Sequence, residues 1–467
     1  MRSTGESLIS LSKFEPIRPE AGAGITASAG KTSRRATAES PGVIRYANSM
    51  ESKSQVAASG GYPTVQEEVA RLAGSPQVRA AFDRFRRQES QFALWQMEAT
   101  RVAAPPFGEA ARGAWLADRF RELGLHDVHV DEVGNVFGIR PAHGSRFVSI
   151  SAHIDTVFPA ATPLNIRQQG SRLYGPGVSD NGAGIAAMLA VASVLISARI
   201  SHGLPFVFMG NVGEEGEGDL RGMRHVFATP RWRDAIAYSV VVDGAGADSV
   251  VAEGLGSRRF EVIIRGPGGH SWSDFGTPNP IIALSRAIER FSQTSVPAAP
   301  KTTFNVGVIR GGTSVNSIPE SVSMRVDLRS TSTAEIDRLE RALRLALEQA
   351  VAAENHSATQ HGARKPQVVQ SEVLEIGNRP AGEMLSDARL LKVIRAVDTQ
   401  LGNTAQVQRA STDANIPLSL GREAIAVGGG GSGGGAHTLQ EWFDCNGREL
   451  GLKRILLTML TLAGIGE

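Results

Sequence analysis

The chain has 467 residues and a formal net charge of +2, from 49 lysines and arginines against 47 aspartates and glutamates. This length is sufficient for two or more domains with separate cores. The nearly balanced charge gives no indication of binding to nucleic acid or to an anionic membrane. The sequence contains no apolar run long enough for a transmembrane helix. The single cysteine, Cys445, excludes an internal disulfide bond and fits a reducing compartment, so we expect a cytoplasmic location.

Residues 1–61 are rich in Ser, Ala, Gly and Arg and have no sustained periodicity. Such a composition buries too little apolar surface to offset the entropy of ordering, so we predict a disordered extension. The segment lacks the apolar core of a secretory signal. A transit peptide is an alternative, but the glutamates of the segment, among them Glu6 and Glu15, argue against it.

The apolar patterns that follow predict a layer of helices and strands, which is typical of an α/β fold. In chain order we predict helices over residues 64–123 that break at Pro105-Pro106, a hairpin over 128–139, a strand over 147–154, a buried helix over 182–198, and strands over 205–209 and 423–428.

The pattern changes after residue 256, where strands with alternating apolar residues predict a small α+β unit. Its predicted elements are strands over 258–265, 302–309 and 321–328 and amphipathic helices over 280–291 and 334–353. We interpret this unit as an insertion, with residues 354–366 as the linker that returns to the first domain. The predicted divisions are therefore an extension over 1–61, a main domain over 62–257 and 367–467, and an inserted domain over 258–366.

Side chains of the types that bind metals lie where the predicted strands should end. They form five clusters: His153-Ile-Asp155, Ser179-Asp180-Asn181, Glu214-Glu215, Val242-Asp243-Gly244 and Gly435-Ala436-His437. In open α/β sheets the chemistry lies at the carboxyl ends of the strands. Imidazole and carboxylate groups are the ligands that zinc, cobalt and manganese take from proteins. The five clusters together predict the two-metal site of a hydrolase.

Each cluster alone also has a structural explanation. A lone histidine is usually hydrogen-bonded within the fold, an aspartate before Gly or Asn usually forms a turn, and paired glutamates are usually solvated. The run 175–184 could bind phosphate, although it lacks the lysine of a P-loop and the spacing of a dinucleotide fingerprint. The glycines of 428–435 could form a flexible linker. The joint order of the clusters favours the metal site.

The chain resembles the M20 family of metallopeptidases, the M20/M25/M40 di-zinc hydrolases, and looks closest to the peptidase T-like tripeptidases. The matching strings occur in the family's order: Ser151-Ala-His-Ile-Asp-Thr156, the run 175–184, Gly213-Glu-Glu-Gly216, Val241-Val-Asp-Gly244, Gly268-Gly-His-Ser271, Gly311-Gly-Thr-Ser-Val-Asn-Ser-Ile-Pro-Glu320 and Gly434-Gly-Ala-His437. The resemblance implies a zinc-exopeptidase-like catalytic domain, a mixed sheet flanked by helices, with the inserted α+β domain as a lid that forms a homodimer. It also implies two divalent metal ions per chain, Zn²⁺ or alternatively Co²⁺ or Mn²⁺.

The resemblance implies a role for each metal-binding residue. Asp180 corresponds to the carboxylate that bridges both ions, and the peptide bond after it is expected to be cis. His153 and Asp243 would complete the ligands of one ion, and Glu215 and His437 those of the other.

Five further residues receive roles from the same resemblance. Asp155 would orient the ring of His153, and Glu214 would act as the general base. In the inserted domain, His270 corresponds to a histidine that reaches the partner subunit's site and stabilises the oxyanion. Asn316 and Arg329 correspond to the lid pair that binds substrate, with Arg329 on a substrate carboxylate.

Aminopeptidases of the family tend to carry aspartate at the position of Asp243, and the string Ser411-Thr-Asp-Ala-Asn-Ile-Pro417 is similar to tripeptidase-like members. We therefore expect an aminopeptidase for di- or tripeptides. The first alternative is a deacylase or carboxypeptidase that acts on N-acyl amino acids at the same two metals. A catalytically inactive relative that binds a small peptide is a second alternative, and a dinucleotide-dependent dehydrogenase based on residues 175–184 is a third.

Overall fold

A computed structural model describes residues 63–360 and 367–464 of the chain. The predicted disordered extension, residues 1–61, lies outside these residues. The described residues all belong to one compact unit. None of their helices combines the length and the apolar character that a membrane span requires.

The helices within the described residues are, in chain order, α1 (Val65–Gly74), α2 (Pro76–Arg87), α3 (Glu89–Arg101), α4 (Ala110–Leu123), α5 (Gly182–Ser197), α6 (Arg221–Ala228), α7 (Pro230–Ala235), α8 (Pro280–Ser292), α9 (Thr333–Gln360), α10 (Arg389–Leu401), α11 (Asn415–Ser419) and α12 (Arg448–Ala463). The strands are β1 (His126–Val130), β2 (Val136–Arg140), β3 (Phe147–His153), β4 (Arg167–Gln169), β5 (Arg172–Tyr174), β6 (Phe206–Asn211), β7 (Ile236–Val242), β8 (Ser249–Gly254), β9 (Gly256–Arg265), β10 (Gly269–His270), β11 (Thr302–Gly311), β12 (Ser317–Ile318), β13 (Ser321–Ser330), β14 (Gln370–Arg379), β15 (Gly382–Glu383), β16 (Gln406–Ala410), β17 (Glu423–Val427), β18 (Ser432–Gly434) and β19 (Trp442–Asp444).

The elements predicted before the inserted domain are confirmed. Helices α1 to α4 cover the region predicted to be helical, and β1 pairs antiparallel with β2 as the predicted hairpin. Helix α1 begins with a capping box, in which the side chains of Thr64 and Glu67 each accept the other's backbone N–H. Helix α5 is buried along almost its whole length, as its small and branched apolar residues predict.

A mixed sheet forms the centre of the larger part of the fold. The strand order is β1-β2-β6-β3-β7-β17-β8-β15, and β16 also pairs with β8. Strands β6, β3, β7 and β17 lie side by side and run parallel. These strands are buried along nearly their whole length, which explains their continuous apolar runs. Because they are parallel, their carboxyl ends meet at one edge of the sheet.

The inserted α+β unit has a sheet and a core of its own. Its strands are antiparallel in the order β11-β13-β9-β14, and the buried apolar side chains of β9 and β13 pack against α8 and α9. Burial alternates strictly along β13, as its sequence pattern predicts. The mixed α/β fold with an inserted α+β unit is therefore confirmed.

The predicted linker over residues 354–366 is wrong where the structure describes it. Helix α9 continues to Gln360, because Ala358 is buried and the buried Glu354 accepts the backbone N–H of Asn279. Strand β14 then pairs with β9, so the small sheet extends beyond the boundary predicted at residue 366. Strand β14 lies at the edge of its sheet and exposes many of its residues, which explains why its sequence lacks a strand pattern.

A second small sheet, β18-β19-β5-β4, was not predicted from the sequence. Each of its strands has only three residues, too few to give a recognisable alternation. The sheet includes part of the glycine-rich run 428–435, which is therefore not a linker. In the same run, a Cβ atom at Gly430 would lie 2.3 Å from the backbone carbonyl oxygen of Arg448, so this position requires glycine.

Candidate active site

The carboxyl edge of the parallel strands carries most of the predicted site residues. Strand β3 ends at His153, which lies opposite Asn211 at the end of β6. Glu214 and Glu215 follow β6 within four residues, and Asp243 directly follows β7. The parallel sheet thus brings together clusters that are far apart in the sequence.

The predicted metal ligands form two groups that share Asp180. His153 Nε2 lies 3.1 Å from Asp180 Oδ1 and 3.7 Å from Asp243 Oδ1. His437 Nε2 lies 3.1 Å from Asp180 Oδ2 and 3.0 Å from Glu215 Oε1. The two oxygens of Asp180 thus face different histidines, as a carboxylate that bridges two ions would.

The donor set of each group fits a divalent ion. In each group the candidate ligand atoms lie within 4.8 Å of one another, and they are imidazole nitrogens and carboxylate oxygens. Ligands at about 2.0–2.2 Å from a common zinc ion have separations of this size. The same donors also suit cobalt and manganese.

Asp155 connects His153 to the loop that carries the two glutamates. Its carboxylate is fully buried and lies 3.5 Å from His153 Nδ1. It also accepts the backbone N–H groups of Glu214 at 3.0 Å and Glu215 at 2.8 Å. Burial opposes ionisation, yet these contacts lower the pKa of Asp155 and keep the group charged.

Histidine protonation responds to the same carboxylates. Burial works against protonation of His153, but hydrogen bonds to Asp155, Asp180 and Asp243 raise its pKa well above the usual value. A hydrogen bond to Asp180 is the main cause that raises the pKa of His437 to about 9. The concentration of carboxylates therefore attracts positive charge to this position, whether protons or metal ions.

Asn181 holds the bridging aspartate against the end of β7. The Asp180–Asn181 peptide bond is cis, as expected. The Asn181 side chain caps α5 by accepting the N–H of Gly184, accepts the N–H of Gly244, and donates to the carbonyl of Val242. It thereby ties the loop of Asp180 to the residues on both sides of Asp243. An asparagine directly before a helix was the available sequence signal for a cap.

Glu441 is a buried carboxylate that sequence analysis missed. Its two oxygens accept the backbone N–H groups of Gly177 at 2.6 Å, Ser179 at 2.7 Å and Asp180 at 2.7 Å. Burial raises the pKa of Glu441 to about 7, although the three N–H groups oppose this rise. No local pattern marks Glu441, because its partners lie more than 260 residues away.

Glu214 is not a member of either ligand group and is buried beside them. Its Oε1 accepts a hydrogen bond at 2.8 Å from Arg379 Nη1. Burial raises the pKa of Glu214 well above its usual value, and the charge of Arg379 opposes this rise. Arg379 was also missed by sequence analysis, since it lies in the unrecognised strand β14.

The three predicted residues of the inserted unit lie apart from these contacts. His270 and Asn316 are exposed, and their segments pair with each other through β10 and β12 and the Ser271 N–H to Asn316 carbonyl bond. Arg329 Nε donates to Asp327 at 2.6 Å within the small sheet. Among the contacts of residues 63–360 and 367–464, none joins these three side chains to the metal-ligand groups.

A cavity of about 600 Å³ opens beside Asp180 and Asp243. Its lining consists largely of glycine and alanine residues and also includes Asp248 and Asn403. Its charged side chains, among the described residues, are all aspartates. The cavity is large enough for a small organic ligand and has an acidic wall.

Comparison with known proteins identifies the family. Residues 149–460 match the model of peptidase family M20/M25/M40, which covers well over half of the chain. The chain belongs to this family, and the resemblance inferred from its sequence is confirmed. The family assignment supports metal-dependent hydrolysis of peptide or amide bonds as the activity of the chain.

Individual relatives differ in their reactions. A probable carboxypeptidase of Aspergillus clavatus is 29% identical over 247 residues, 47% of this chain and 54% of that protein. A succinyl-diaminopimelate desuccinylase of Nitrosospira multiformis is 24% identical over 264 residues, 53% of this chain and 69% of that protein. The match thus spans only about half the length of the first relative.

The fold is also similar to a solved structure, the aminopeptidase PepT of Bacillus cereus. The TM-score is 0.64 at 21% identity, with coverage of 80% of this chain and 99% of that chain. At this identity the similarity shows the fold alone.

Proposed function

We propose that the protein is a two-metal aminopeptidase that removes the amino-terminal residue of di- or tripeptides. The observation that carries the proposal is the pair of histidine–carboxylate groups that share Asp180. His153 and Asp243 would hold one ion with Asp180, and Glu215 and His437 would hold the other. When bound, two ions such as Zn²⁺, Co²⁺ or Mn²⁺ polarise the scissile carbonyl and lower the pKa of the attacking water.

Proton transfer in this proposal belongs to Glu214. Its buried carboxyl group takes a proton from the attacking water and passes it to the leaving amine. Asp155 supports the reaction by orienting the ring of His153 and by holding the backbone N–H of Glu214.

The cavity supports the choice of the amino end. A substrate with a free amino group carries a positive charge, which Asp248, the aspartate of the cavity lining that holds no ion in this proposal, would attract. Aspartate at position 243, the residue that aminopeptidases of the family tend to carry, supports the same choice.

The inserted unit supplies the remaining roles in this proposal. His270 of a partner subunit would stabilise the oxyanion, and Asn316 and Arg329 would bind the substrate. Arg329 would grip a substrate carboxylate with its guanidinium, which is only partly engaged by Asp327 and remains 37% exposed. The proposal includes a homodimer through this unit and a cytoplasmic location.

One panel of substrates tests the proposal. Full-length protein freed of metal by a chelator would be tested alone and with Zn²⁺, Co²⁺ or Mn²⁺. The substrates would be a tripeptide, a dipeptide, their N-acetyl forms and their C-terminal amides, with products from each end identified by mass spectrometry. We expect no activity without metal, release of the amino-terminal residue with metal, and at least about tenfold slower cleavage of N-acetyl forms, equivalent to 1.4 kcal/mol. Glu214→Gln protein prepared in parallel controls for contaminating peptidases.

Two results would contradict the proposal. Cleavage of N-acetyl substrates with free peptides left intact would favour the deacylase or carboxypeptidase, which the sequence relatives support. Full activity with fewer than two ions per chain would exclude the two-metal reaction.

A further inference from the structure

We propose that Arg379 is a positioning residue that fixes the Glu214 carboxylate at the junction with the inserted unit. This inference rests on the proposed function, because it gives Arg379 a role through the general base. It requires that Arg379 acts through Glu214. An effect through the metal ions, or only through the stability of the fold, would contradict it.

Arg379 holds Glu214 at two points. Nη1 donates to Glu214 Oε1 at 2.8 Å, and Nη2 donates to the main-chain carbonyl of the same residue. Nη1 also lies 3.3 Å from Ser411 Oγ. Two contacts on one residue fix both the backbone and the side-chain torsions of Glu214. The contacts use one carboxylate oxygen, so Oε2 stays available for proton transfer.

Burial makes this ion pair sensitive to the loss of either partner. The side chains of Arg379 and Glu214 are only 7% and 8% exposed. Removing one member of a buried pair leaves the other charge without compensation, so the remaining side chain moves toward another partner or toward solvent. Lysine cannot replace both contacts, since it lacks the planar fork of donors.

The position of Arg379 in the fold connects the pair to the inserted unit. Arg379 is the last residue of β14 and pairs with Ser257 near the start of β9. These are the two places where the chain passes between the large and the small sheets. The guanidinium that fixes Glu214 therefore lies at the junction between the two sheets.

Arg224 provides a matched control, because it contacts the residue next to Arg379 in the chain. Arg224 Nη2 donates to the carbonyl of Asn378, and Asp219 accepts the N–H of Asn378. Arg224 thus supports the same end of β14 from helix α6. It makes no contact with Glu214 among the contacts of the described residues. Arg224→Ala therefore weakens the junction between β14 and the large sheet but leaves the contacts of Glu214 intact.

The experiment compares Arg379→Ala, Arg379→Lys and Arg224→Ala with the parent, all as full-length, metal-loaded protein. The readouts are kcat and KM for the best parental peptide, metal content by elemental analysis, and the crystal structure of metal-free Arg379→Ala. For Arg379→Ala we expect a kcat lower by about 10–100-fold, as for other residues that orient catalytic groups. We expect KM within about threefold of the parent, both ions retained, and Glu214 spread over more than one rotamer.

The two other variants sharpen the test. Arg379→Lys keeps a positive charge on a single donor nitrogen, so its kcat should lie between those of Arg379→Ala and the parent. It also serves as the test variant if Arg379→Ala does not fold, with kcat still expected below the parent. For Arg224→Ala we expect a kcat within about threefold of the parent, since its loss leaves Glu214 in place.

Several outcomes would overturn the inference. One is a kcat within threefold of the parent for Arg379→Ala with Glu214 unmoved. If Arg379→Ala lost metal in proportion to its activity, Arg379 would act on the ions. If Arg224→Ala lost as much kcat as Arg379→Ala, Arg379 would only support the junction between the two sheets. If the parent hydrolyses no peptide, the proposed function fails, whereas the crystal structure still decides whether Arg379 fixes Glu214.

Discussion

At the scale of single residues, buried carboxylates determine the geometry of this site. Asp155 contacts His153 and accepts the backbone N–H groups of Glu214 and Glu215. Glu441 accepts three backbone N–H groups of the loop that ends at Asp180. Each carboxylate accepts backbone N–H groups from a distant segment of the chain. Charge-assisted bonds of this kind fix backbone position more strongly than neutral ones.

The neutral analogue of Glu214 should separate proton transfer from metal binding. Glu214→Gln can still accept the Arg379 hydrogen bond, but it cannot take up a proton. We expect full metal content and a kcat lower by about 10²–10⁴-fold, the range of general acid–base catalysis. Steady-state kinetics and elemental analysis on the same sample test this expectation.

The control for this variant lies on the same loop. The Glu217 side chain is 79% exposed and lies 3.8 Å from Arg325, so Glu217→Gln should change kcat by less than about twofold. Turnover of Glu214→Gln within a few-fold of the parent would mean that another group acts as the base.

At the scale of elements, the loop 175–181 depends on a residue that follows the distant His437. Glu441→Gln retains the shape of the side chain but loses the charge and at least one of three N–H acceptor positions. We expect metal-free protein to lose about 1–3 kcal/mol of unfolding free energy, because the amide nitrogen leaves the buried N–H of Gly177 without an acceptor. The affinity for metal should fall by about 10–100-fold, because Asp180 is less well held. Urea unfolding and metal titration measure the two effects.

A glutamate on the following helix, half-buried and paired with Lys453 as well as Arg86, provides the comparison. Glu449 pairs with Arg86, whose side chain is 70% exposed, so Glu449→Gln should cost less than about 1 kcal/mol. Equal effects of the two substitutions would show that Glu441 has no special part in holding the loop.

Elements with strong local patterns were predictable, and elements defined by their partners were not. The buried runs of β3 and β6 and the helix α5 were recognised, because burial on all sides leaves continuous apolar sequence. Strand β14 was missed, since an edge strand with exposed residues resembles a linker.

The same distinction applies to the site. His153 and Asp243 were found because each directly ends or follows a recognisable strand. Glu441 and Arg379 were missed, because their importance arises only when the fold brings them to partners more than 160 residues away. A single sequence contains no signal for such contacts.

At the scale of the whole molecule, the candidate site residues lie on two sheets with separate cores. The large sheet holds the two ligand groups, whereas His270 lies at the exposed end of the small sheet's unit. The backbone N–H of His270 donates to Asp274, and its Nδ1 accepts the N–H of Trp272 at 3.2 Å. Its ring therefore makes local contacts, and its proposed role requires that it approach an active site, either its own or that of a partner subunit.

A homodimer with shared sites predicts recovery of activity from two inactive variants. His270→Ala should bind both metals but turn over slowly, because one oxyanion donor is worth about 3–4 kcal/mol. In a mixed dimer with Glu214→Gln, the site on the His270→Ala chain keeps its own Glu214 and receives an intact His270 from the other chain. Random exchange makes about half of the dimers mixed, each with one complete site, so about a quarter of the parental activity should return. The assay needs proof of exchange by native mass spectrometry of differently tagged chains. Proven exchange without recovery would mean that His270 acts within its own chain, or that another group stabilises the oxyanion.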